Sequence, residues 1–119
     1  MFQKNLRLAY LLDFYGDILD DHTKSVMLSY YEDDLSLSEI AETIGISRQG
    51  VRHIIKKAEE ELDFFETKLG LALQFKKIEE ALEQLNEVAD SLSAFSDPRM
   101  IEYAAKVRQA VETISTNKD

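Results

Sequence analysis

The chain has 119 residues, of which 45% are hydrophobic and 31% are charged, with only four glycines and one proline. This length fits one compact domain, or a small domain with a helical extension. The composition is that of a globular protein, and the scarcity of glycine and proline argues against a β architecture with many turns. The sequence has no cysteine, which excludes disulfides and thiolate chemistry.

The formal net charge is -9. An acidic surface opposes non-specific binding to phosphates, so a nucleic-acid partner would require a local concentration of positive charge. No segment approaches the roughly 18 consecutive apolar residues of a membrane span, and the N-terminus lacks the apolar core of a signal peptide. We therefore expect a cytoplasmic protein with no membrane insertion.

Apolar residues at helical spacing predict a first helix from Phe2 to Leu19. Gly16 marks a break or a close helix contact, and Asp20 or Asp21 can cap a second helix. The aromatic side chains of these two helices are more typical of a core than of a base-stacking surface. These residues are Tyr10, Phe14, Tyr15, Tyr30 and Tyr31.

The middle of the chain has the spacing of a helix-turn-helix. Ser36 followed by Glu39 is a capping box that predicts the start of a third helix, Gly45 can take the positive φ of a tight turn, and Ser47 can cap the next helix. The buried or turn positions that this motif requires are Ile40, Ala41, Ile44, Gly45, Ile46, Val51 and Ile54. An ordinary helical hairpin shares this spacing but need not carry a basic second helix.

The second helix of this pair concentrates positive charge in an acidic chain. It carries a local charge of +4 from Arg48, Arg52, Lys56 and Lys57, and no acid interrupts the segment. Arginine can bind guanine bidentately, glutamine can bind adenine, and lysine can contact phosphate. The predicted nucleic-acid-binding residues are Ser47, Arg48, Gln49, Arg52, His53, Lys56 and Lys57. The alternative is a merely solvated basic face, since three glutamates follow at 59–61.

Two amphipathic stripes predict two further helices in the C-terminal part. One runs from Leu71 to Leu92, and the other follows a turn at residues 93–98 and ends near Ile114. Their apolar faces indicate an antiparallel hairpin. The stripes are too long to be buried by a helix-turn-helix domain of roughly 65 residues, which favours a homodimer or other homo-oligomer. Packing within one chain is the alternative.

No motif indicates catalysis or a cofactor. The sequence contains neither a GxxxxGK[ST] phosphate loop nor a GxSxG elbow. His22 and His53 lie on different predicted helices without zinc-site spacing, and the acidic stretch at 32–34 lacks the pattern of a calcium loop. We therefore predict a protein that is not an enzyme and has no metal or other cofactor.

The stretches SLSEIAE at 36–42 and ISRQGVR at 46–52 resemble region 4 of bacterial sigma factors. The likeness extends from Leu19 through Leu62 and implies a DNA-binding regulator. A complete sigma factor would also need a promoter-melting and polymerase-binding module, for which this chain has no room. We expect an all-α fold in which a sigma region 4-like helix-turn-helix domain (residues 1–68) is followed by a C-terminal antiparallel helical hairpin (residues 69–119).

A closer resemblance is to the YlxM family of small bacterial helix-turn-helix proteins. It rests on DFYG at 13–16, YYEDDLSL at 30–37, SRQ at 47–49 and KLGL at 68–71, which span most of residues 12–71. That family is encoded beside Ffh, the GTPase of the signal recognition particle, and its receptor FtsY. The resemblance implies a regulatory role in this pathway, through Ffh or its RNA. The alternative function is a protein-binding modulator of the Ffh GTPase or its RNA particle, with no sequence-specific DNA binding.

Overall fold

A computed structural model describes residues 5–115. Over these residues it contains α helices, a short 3-10 helix and no strand, which confirms the predicted all-α fold. The helices are α1 (Leu6–Tyr15), α2 (Asp21–Tyr31), α3 (Leu37–Ile44), α4 (Arg48–Leu69), α5 (Leu71–Ser93) and α6 (Pro98–Ser115). None of the helices in this part combines the length and the hydrophobicity that a membrane crossing needs.

The first helix ends sooner than predicted. α1 begins at Leu6, and Phe2 lies outside the described residues. Gly16 ends α1 and opens a 3-10 turn, so the prediction that one helix continues to Leu19 is wrong. Gly16 is buried, and a Cβ atom added there would lie 3.5 Å from Leu12 and 3.7 Å from Lys24 of α2. These are ordinary van der Waals distances, and the backbone of Gly16 is right-handed with a φ of −53°, so this position would also accept a small side chain.

Asp20 begins α2, as predicted, because its carboxylate accepts a hydrogen bond from the Thr23 amide at 2.8 Å. At the other end of α2 the acidic turn includes Asp34 with a φ of 55°, a conformation that short polar side chains tolerate. The amide of Leu35 then donates to the carbonyl of Ser29 at 3.0 Å. These contacts close α2 and lead the chain into α3.

The chain divides into two compact units, one extending to Ala72 and the other beginning at Leu73. The first unit is built around α4, which packs against α1, α2 and α3. The buried residues of α4 recur at the predicted spacings of three and four: Val51, Ile55, Ala58 and Leu62. They join a core that includes Leu11, Leu12, Tyr15, Leu19, Val26, Met27, Tyr30, Ile40 and Ala41. Burying each large apolar side chain contributes about 1.5–3 kcal/mol, so α4 is held firmly.

The N-terminal aromatic residues pack mainly into this core. Tyr15 and Tyr30 are buried, and Phe14 and Tyr31 are half-buried against the core. Tyr10 differs, since it is 39% exposed and its hydroxyl donates to the carbonyl of Ala72 at 3.0 Å. The prediction of a core role is therefore correct for four of these residues and wrong for Tyr10, whose polar end lies at the surface.

The second unit contains α6 and most of α5, which form the predicted antiparallel hairpin. Its buried hydrophobic residues are Leu82, Ala89, Ala104 and Val111. Arg108 of α6 pairs with Asp90 of α5 at 2.8 Å and donates to the Ser93 hydroxyl at 3.0 Å. The amide of Arg99 donates to the Asp97 carboxylate at 2.9 Å, which satisfies a free backbone group at the start of α6.

Candidate nucleic-acid interface

The first helix of the helix-turn-helix, α3, begins with the capping box predicted from the sequence. The Glu39 amide donates to the Ser36 hydroxyl at 3.1 Å, and the Ser36 amide donates to the Glu39 carboxylate at 2.9 Å. These reciprocal hydrogen bonds lower the pKa of Glu39. Two backbone donors that a helix end leaves free are thus satisfied, and the start of α3 is fixed.

The turn between α3 and α4 depends on a glycine with left-handed backbone geometry. Gly45 has a φ of 76°, and its amide donates to the carbonyl of Ala41 at 2.9 Å. The Ile46 amide donates to the same carbonyl at 3.2 Å. A Cβ atom at Gly45 would contact nothing within 4 Å, so the requirement for glycine comes from the backbone conformation rather than from crowding.

The second helix of the pair, α4, begins after Ser47, whose hydroxyl accepts a hydrogen bond from the Gly50 amide at 3.0 Å. Val51 is fully buried, as predicted, but Ile46 is 40% exposed. The sequence pattern predicts a buried or turn position for Ile46, and the structure places it in the turn between α3 and α4. Its side chain lies over Gly50, where an added Cβ would be 3.2 Å from Ile46 Cδ1 and 3.3 Å from Ser47 Oγ. Gly50 leaves room for this local contact.

All of the predicted nucleic-acid-binding side chains are exposed on the surface of the first unit. Because residues four positions apart lie on the same face of a helix, those on α4 form two neighbouring rows. The rows are Arg48, Arg52 and Lys56, and beside them Gln49, His53 and Lys57. At a rise of 1.5 Å per residue, the rows extend over about 13 Å of helix. We call these six residues the basic stripe.

The positive charge of the basic stripe is not neutralised by close contacts. Within residues 5–115, none of Arg48, Arg52, Lys56 and Lys57 forms an ion pair within 4 Å. Other basic residues of the chain are paired, for example Arg7 with Asp63 at 2.6 Å. The stripe therefore concentrates accessible cations on one helix of a protein whose formal net charge is -9.

The glutamates that follow the stripe are oriented differently from one another. The carboxylate of Glu59 accepts a hydrogen bond from the hydroxyl of Tyr31, so Glu59 points back towards α2. Burial, together with this hydrogen bond and the charge of Glu59, raises the pKa of Tyr31 well above its ordinary value. Glu61 instead lines a surface cleft of about 210 Å³ beside His53 and Lys57.

Asp20, the N-cap residue of α2, lies at the same cleft, together with Thr23. Hydrogen bonds from Thr23 lower the pKa of Asp20, and the nearby charges of His22 and Lys57 lower it further. Two carboxylates, Asp20 and Glu61, thus flank the Lys57 end of the basic stripe. No local sequence pattern indicates this neighbourhood, because Asp20 precedes α2 whereas Lys57 lies on α4, beyond the whole of α3.

The arrangement suits binding of a polyanion. Within residues 5–115, no group of histidine and acidic side chains is placed to hold a metal ion. The exposed groups are guanidinium, ammonium, imidazole, amide and hydroxyl donors on one helix. Such donors can contact phosphates and base edges without performing a chemical step.

A capped helix, a left-handed glycine turn and a second helix packed through Val51 define this chain as a helix-turn-helix protein. A family model with the description "Putative helix-turn-helix protein, YlxM / p13 like" matches residues 2–99. The chain belongs to this family, UPF0122.

Individual relatives agree with this assignment. A UPF0122 protein of Halalkalibacterium halodurans is 46% identical over 90 residues, which cover 76% of this chain and 83% of the relative. A UPF0122 protein of Bacillus pumilus is 42% identical over 106 residues, which cover 88% and 96%. One from Thermoanaerobacter sp. is 34% identical over 111 residues, which cover 92% and 95%. The similarity thus extends over nearly the whole of these proteins.

Proposed function

We propose that this protein is a non-enzymatic, DNA-binding regulator that uses α4 as its recognition helix. The observation that carries the proposal is the basic stripe, whose four cations are exposed on the second helix of a helix-turn-helix and form no ion pair within residues 5–115. The family description as a helix-turn-helix protein supports it. The major groove of B-DNA is about 12 Å wide and admits an α helix, with the first residues of a recognition helix contacting base edges.

The positions along α4 suggest different roles for the side chains. Arg48 and Gln49 lie in the first turn, where they would reach base edges, and Arg52 and His53 follow one turn later. Lys56 and Lys57 lie farther along the helix and would contact phosphates. Ser47, whose hydroxyl already accepts from the Gly50 amide, can still donate its hydroxyl proton to a phosphate oxygen. The specificity would then come mainly from the first two turns.

A binding titration against mixed genomic DNA fragments at physiological salt tests this proposal. The double variant Arg48→Ala/Arg52→Ala should abolish selective binding, while its circular dichroism spectrum should be unchanged. A matched control is Lys76→Ala/Lys77→Ala, which removes the same charge from exposed positions of α5. If both double variants bind DNA as tightly as the parent protein, α4 is not the recognition helix.

We further propose that this regulator acts in the signal recognition particle pathway, through Ffh or its RNA, as the resemblance to YlxM implies. The alternative is a protein-binding modulator of the Ffh GTPase or its RNA particle, with no sequence-specific DNA binding. An acidic protein with only one basic stripe is compatible with a protein surface as the partner. Saturable change in GTP hydrolysis by Ffh with its RNA, without selective DNA binding, would favour the alternative.

We also propose that the protein works as a homodimer or other homo-oligomer in the cytoplasm. Dimeric helix-turn-helix proteins bind two half-sites about one helical turn apart, and two weak contacts then add to give useful affinity. A single copy of this acidic chain offers only the cations of one basic stripe. Pairing of copies would double that charge on one DNA site.

A further inference from the structure

One large hydrophobic side chain of the helix-turn-helix is exposed. Among residues 36–57, all of which the structure describes, Ile46 alone combines a large apolar side chain with an exposed position, at 40%. The other large hydrophobic residues of this segment are buried or half-buried: Leu37, Ile40, Ile44, Val51, Ile54 and Ile55. The remaining exposed residues are polar, charged or glycine. Ile46 thus places apolar atoms on a surface that otherwise offers hydrogen-bonding groups.

Ile46 lies at the N-terminal end of α4, between the left-handed Gly45 and the N-cap residue Ser47. Its side chain runs along the first turn of the helix, since a Cβ added to Gly50 would be 3.2 Å from Ile46 Cδ1 and 3.6 Å from Ile46 Cγ1. Gly50 has no side chain that could cover these atoms. Ile46 is therefore held against α4 on one side and is open to solvent on the other.

The side chain of Ile46 lies next to one row of the basic stripe. At about 100° per residue, the position of Gly50 on the helix is about 60° from His53 and about 100° from Gln49, but about 160° from Arg52. Because Ile46 rests on Gly50, its apolar atoms adjoin the row of Gln49 and His53 rather than the row of Arg52. The first turn of α4 thus carries an alkyl group beside an amide.

We propose that Ile46 contacts the C5-methyl group of a thymine in the major groove and thereby favours an A·T pair at that position of the DNA site. This inference rests on the proposed function, in which the first turn of α4 reaches base edges. The thymine methyl is the one alkyl group that base pairs present in the major groove. A polar base group pressed against Ile46 would lose its water without gaining a hydrogen-bond partner, which disfavours the other bases.

The neighbouring Gln49 favours the same kind of base pair. A glutamine amide can bind N6 and N7 of adenine bidentately, and the thymine paired with that adenine presents its methyl group in the same groove. Gln49 and Ile46 can therefore contact the two bases of one A·T pair, or of two adjacent pairs. Arg48 and Arg52 can bind guanine. The expected site thus combines G·C positions contacted by arginine with an A·T position contacted by Gln49 and Ile46.

Replacement of thymine by uracil tests this contact, because uracil lacks the C5-methyl group but keeps the hydrogen-bonding groups of thymine. The fragment that the parent protein selects from mixed genomic DNA is synthesised once with thymine and once with uracil. Fluorescence anisotropy at physiological salt measures the affinity for each. The parent protein should bind the uracil fragment roughly fourfold more weakly for each bound copy, since burial of one methyl-sized group contributes about that factor.

Substitutions at Ile46 assign the contact to this residue. Ile46→Ala should bind the two fragments equally, because its side chain no longer reaches the methyl group. Ile46→Val removes only Cδ1 and should reduce the difference, which provides a milder variant if Ile46→Ala fails to fold. Leu69→Ala is the matched control, because Leu69 is 55% exposed but lies about 28 Å along α4 from Gly50. This control should retain the full difference between the fragments.

The outcomes separate this inference from the proposed function. If the parent protein selects a fragment but binds its uracil form equally well, the thymine contact is absent and DNA binding stands. A difference that persists in Ile46→Ala and Ile46→Val would assign the methyl contact to another residue and overturn the inference. A parent protein that selects no fragment would overturn the proposed function itself, together with this inference.

Discussion

The hydroxyl of Tyr15 in α1 donates to the Glu66 carboxylate in α4 at 2.6 Å. The same Glu66 oxygen accepts from the Ala72 amide at 3.0 Å, and the Leu71 amide donates to the Tyr15 hydroxyl at 3.2 Å. Two backbone donors that the start of α5 would leave free are satisfied by side chains from two other helices. This network fixes the turn at Gly70, whose φ is 62°.

Replacing Tyr15 with phenylalanine should therefore lower the free energy of unfolding by about 1–2 kcal/mol. The ring stays buried, but the Leu71 amide loses its acceptor and Glu66 loses a donor. Urea denaturation at neutral pH gives the value. Tyr10→Phe is the control, because it removes a single hydroxyl hydrogen bond, to the carbonyl of Ala72, from a partly exposed side chain. A loss for Tyr15→Phe no larger than for Tyr10→Phe would contradict the importance of the network.

Alkaline pH should destabilise the protein through two tyrosines, the buried Tyr15 and the half-buried Tyr31. Burial, assisted by Glu66, raises the pKa of Tyr15, and burial with the Glu59 hydrogen bond raises the pKa of Tyr31. The folded state thus holds these protons more tightly than the unfolded state, so their contribution is fully present below the unfolded pKa of about 10 and falls as pH rises above it. Urea denaturation at several pH values between 8 and 11 measures how steeply the free energy of unfolding declines with pH. Tyr31→Phe should make the decline shallower, and an unchanged slope would refute this origin.

Replacing the two glycines of the helix-turn-helix with alanine should change the free energy of unfolding in opposite directions. Gly45→Ala forces a left-handed backbone on a residue with a Cβ and should cost about 1–2 kcal/mol. Gly50→Ala replaces a helical glycine and gains up to about 1 kcal/mol, reduced by contacts with the ends of Ile46 and Ser47. Thermal unfolding of both variants provides the comparison. Equal destabilisation by the two changes would show that crowding at Gly50 outweighs helix propensity.

The salt dependence of DNA binding should report each phosphate contact. Lys56→Ala should weaken binding to all sequences and reduce the slope of log K against log salt by about 1. Lys68→Ala, an exposed lysine in the last turn of the same helix, should leave the slope unchanged. Fluorescence anisotropy at several salt concentrations measures both. If Lys56→Ala has the same salt slope as the parent protein, Lys56 does not contact a phosphate.

Asp20 should weaken nucleic-acid binding by its charge. Asp20→Asn retains a side chain that can cap α2 but removes the carboxylate beside Lys57, so affinity should rise roughly two- to fivefold at low salt. Asp97→Asn is the matched control in the second unit, where the carboxylate also accepts a backbone amide. Equal gains in the two variants would point to net charge alone rather than to the position of Asp20.

Local signals allowed much of the first unit to be predicted from the sequence. Ser36 with Glu39, Gly45 and Ser47 each act within a few residues, and all show the geometry that their spacing indicates. Helical periodicity likewise predicts which side of α4 is buried, so exposure of the basic stripe follows from the sequence. Its binding role stays a prediction, because exposure alone does not identify a ligand.

Contacts between distant helices could not be predicted in this way. Tyr15 with Glu66 and Asp20 with Lys57 meet only after α1, α2 and α4 have packed, and no local pattern marks them. The sequence likewise did not determine whether Ile46 is buried or lies in the turn. Its hydrophobicity suited a core position, but it directly follows the left-handed Gly45 and lies against Gly50 at the surface.

The hydrogen bonds around Glu66 also bear on where the polypeptide can be shortened. Ala72 contributes its amide to Glu66 and its carbonyl to Tyr10, so the helix-turn-helix unit includes the first turn of α5. A fragment that stops at residue 68 would leave Tyr10, Tyr15 and Glu66 without these partners. A fragment that extends a few residues beyond Ala72 retains them, and is the better choice for isolating the basic stripe from the hairpin.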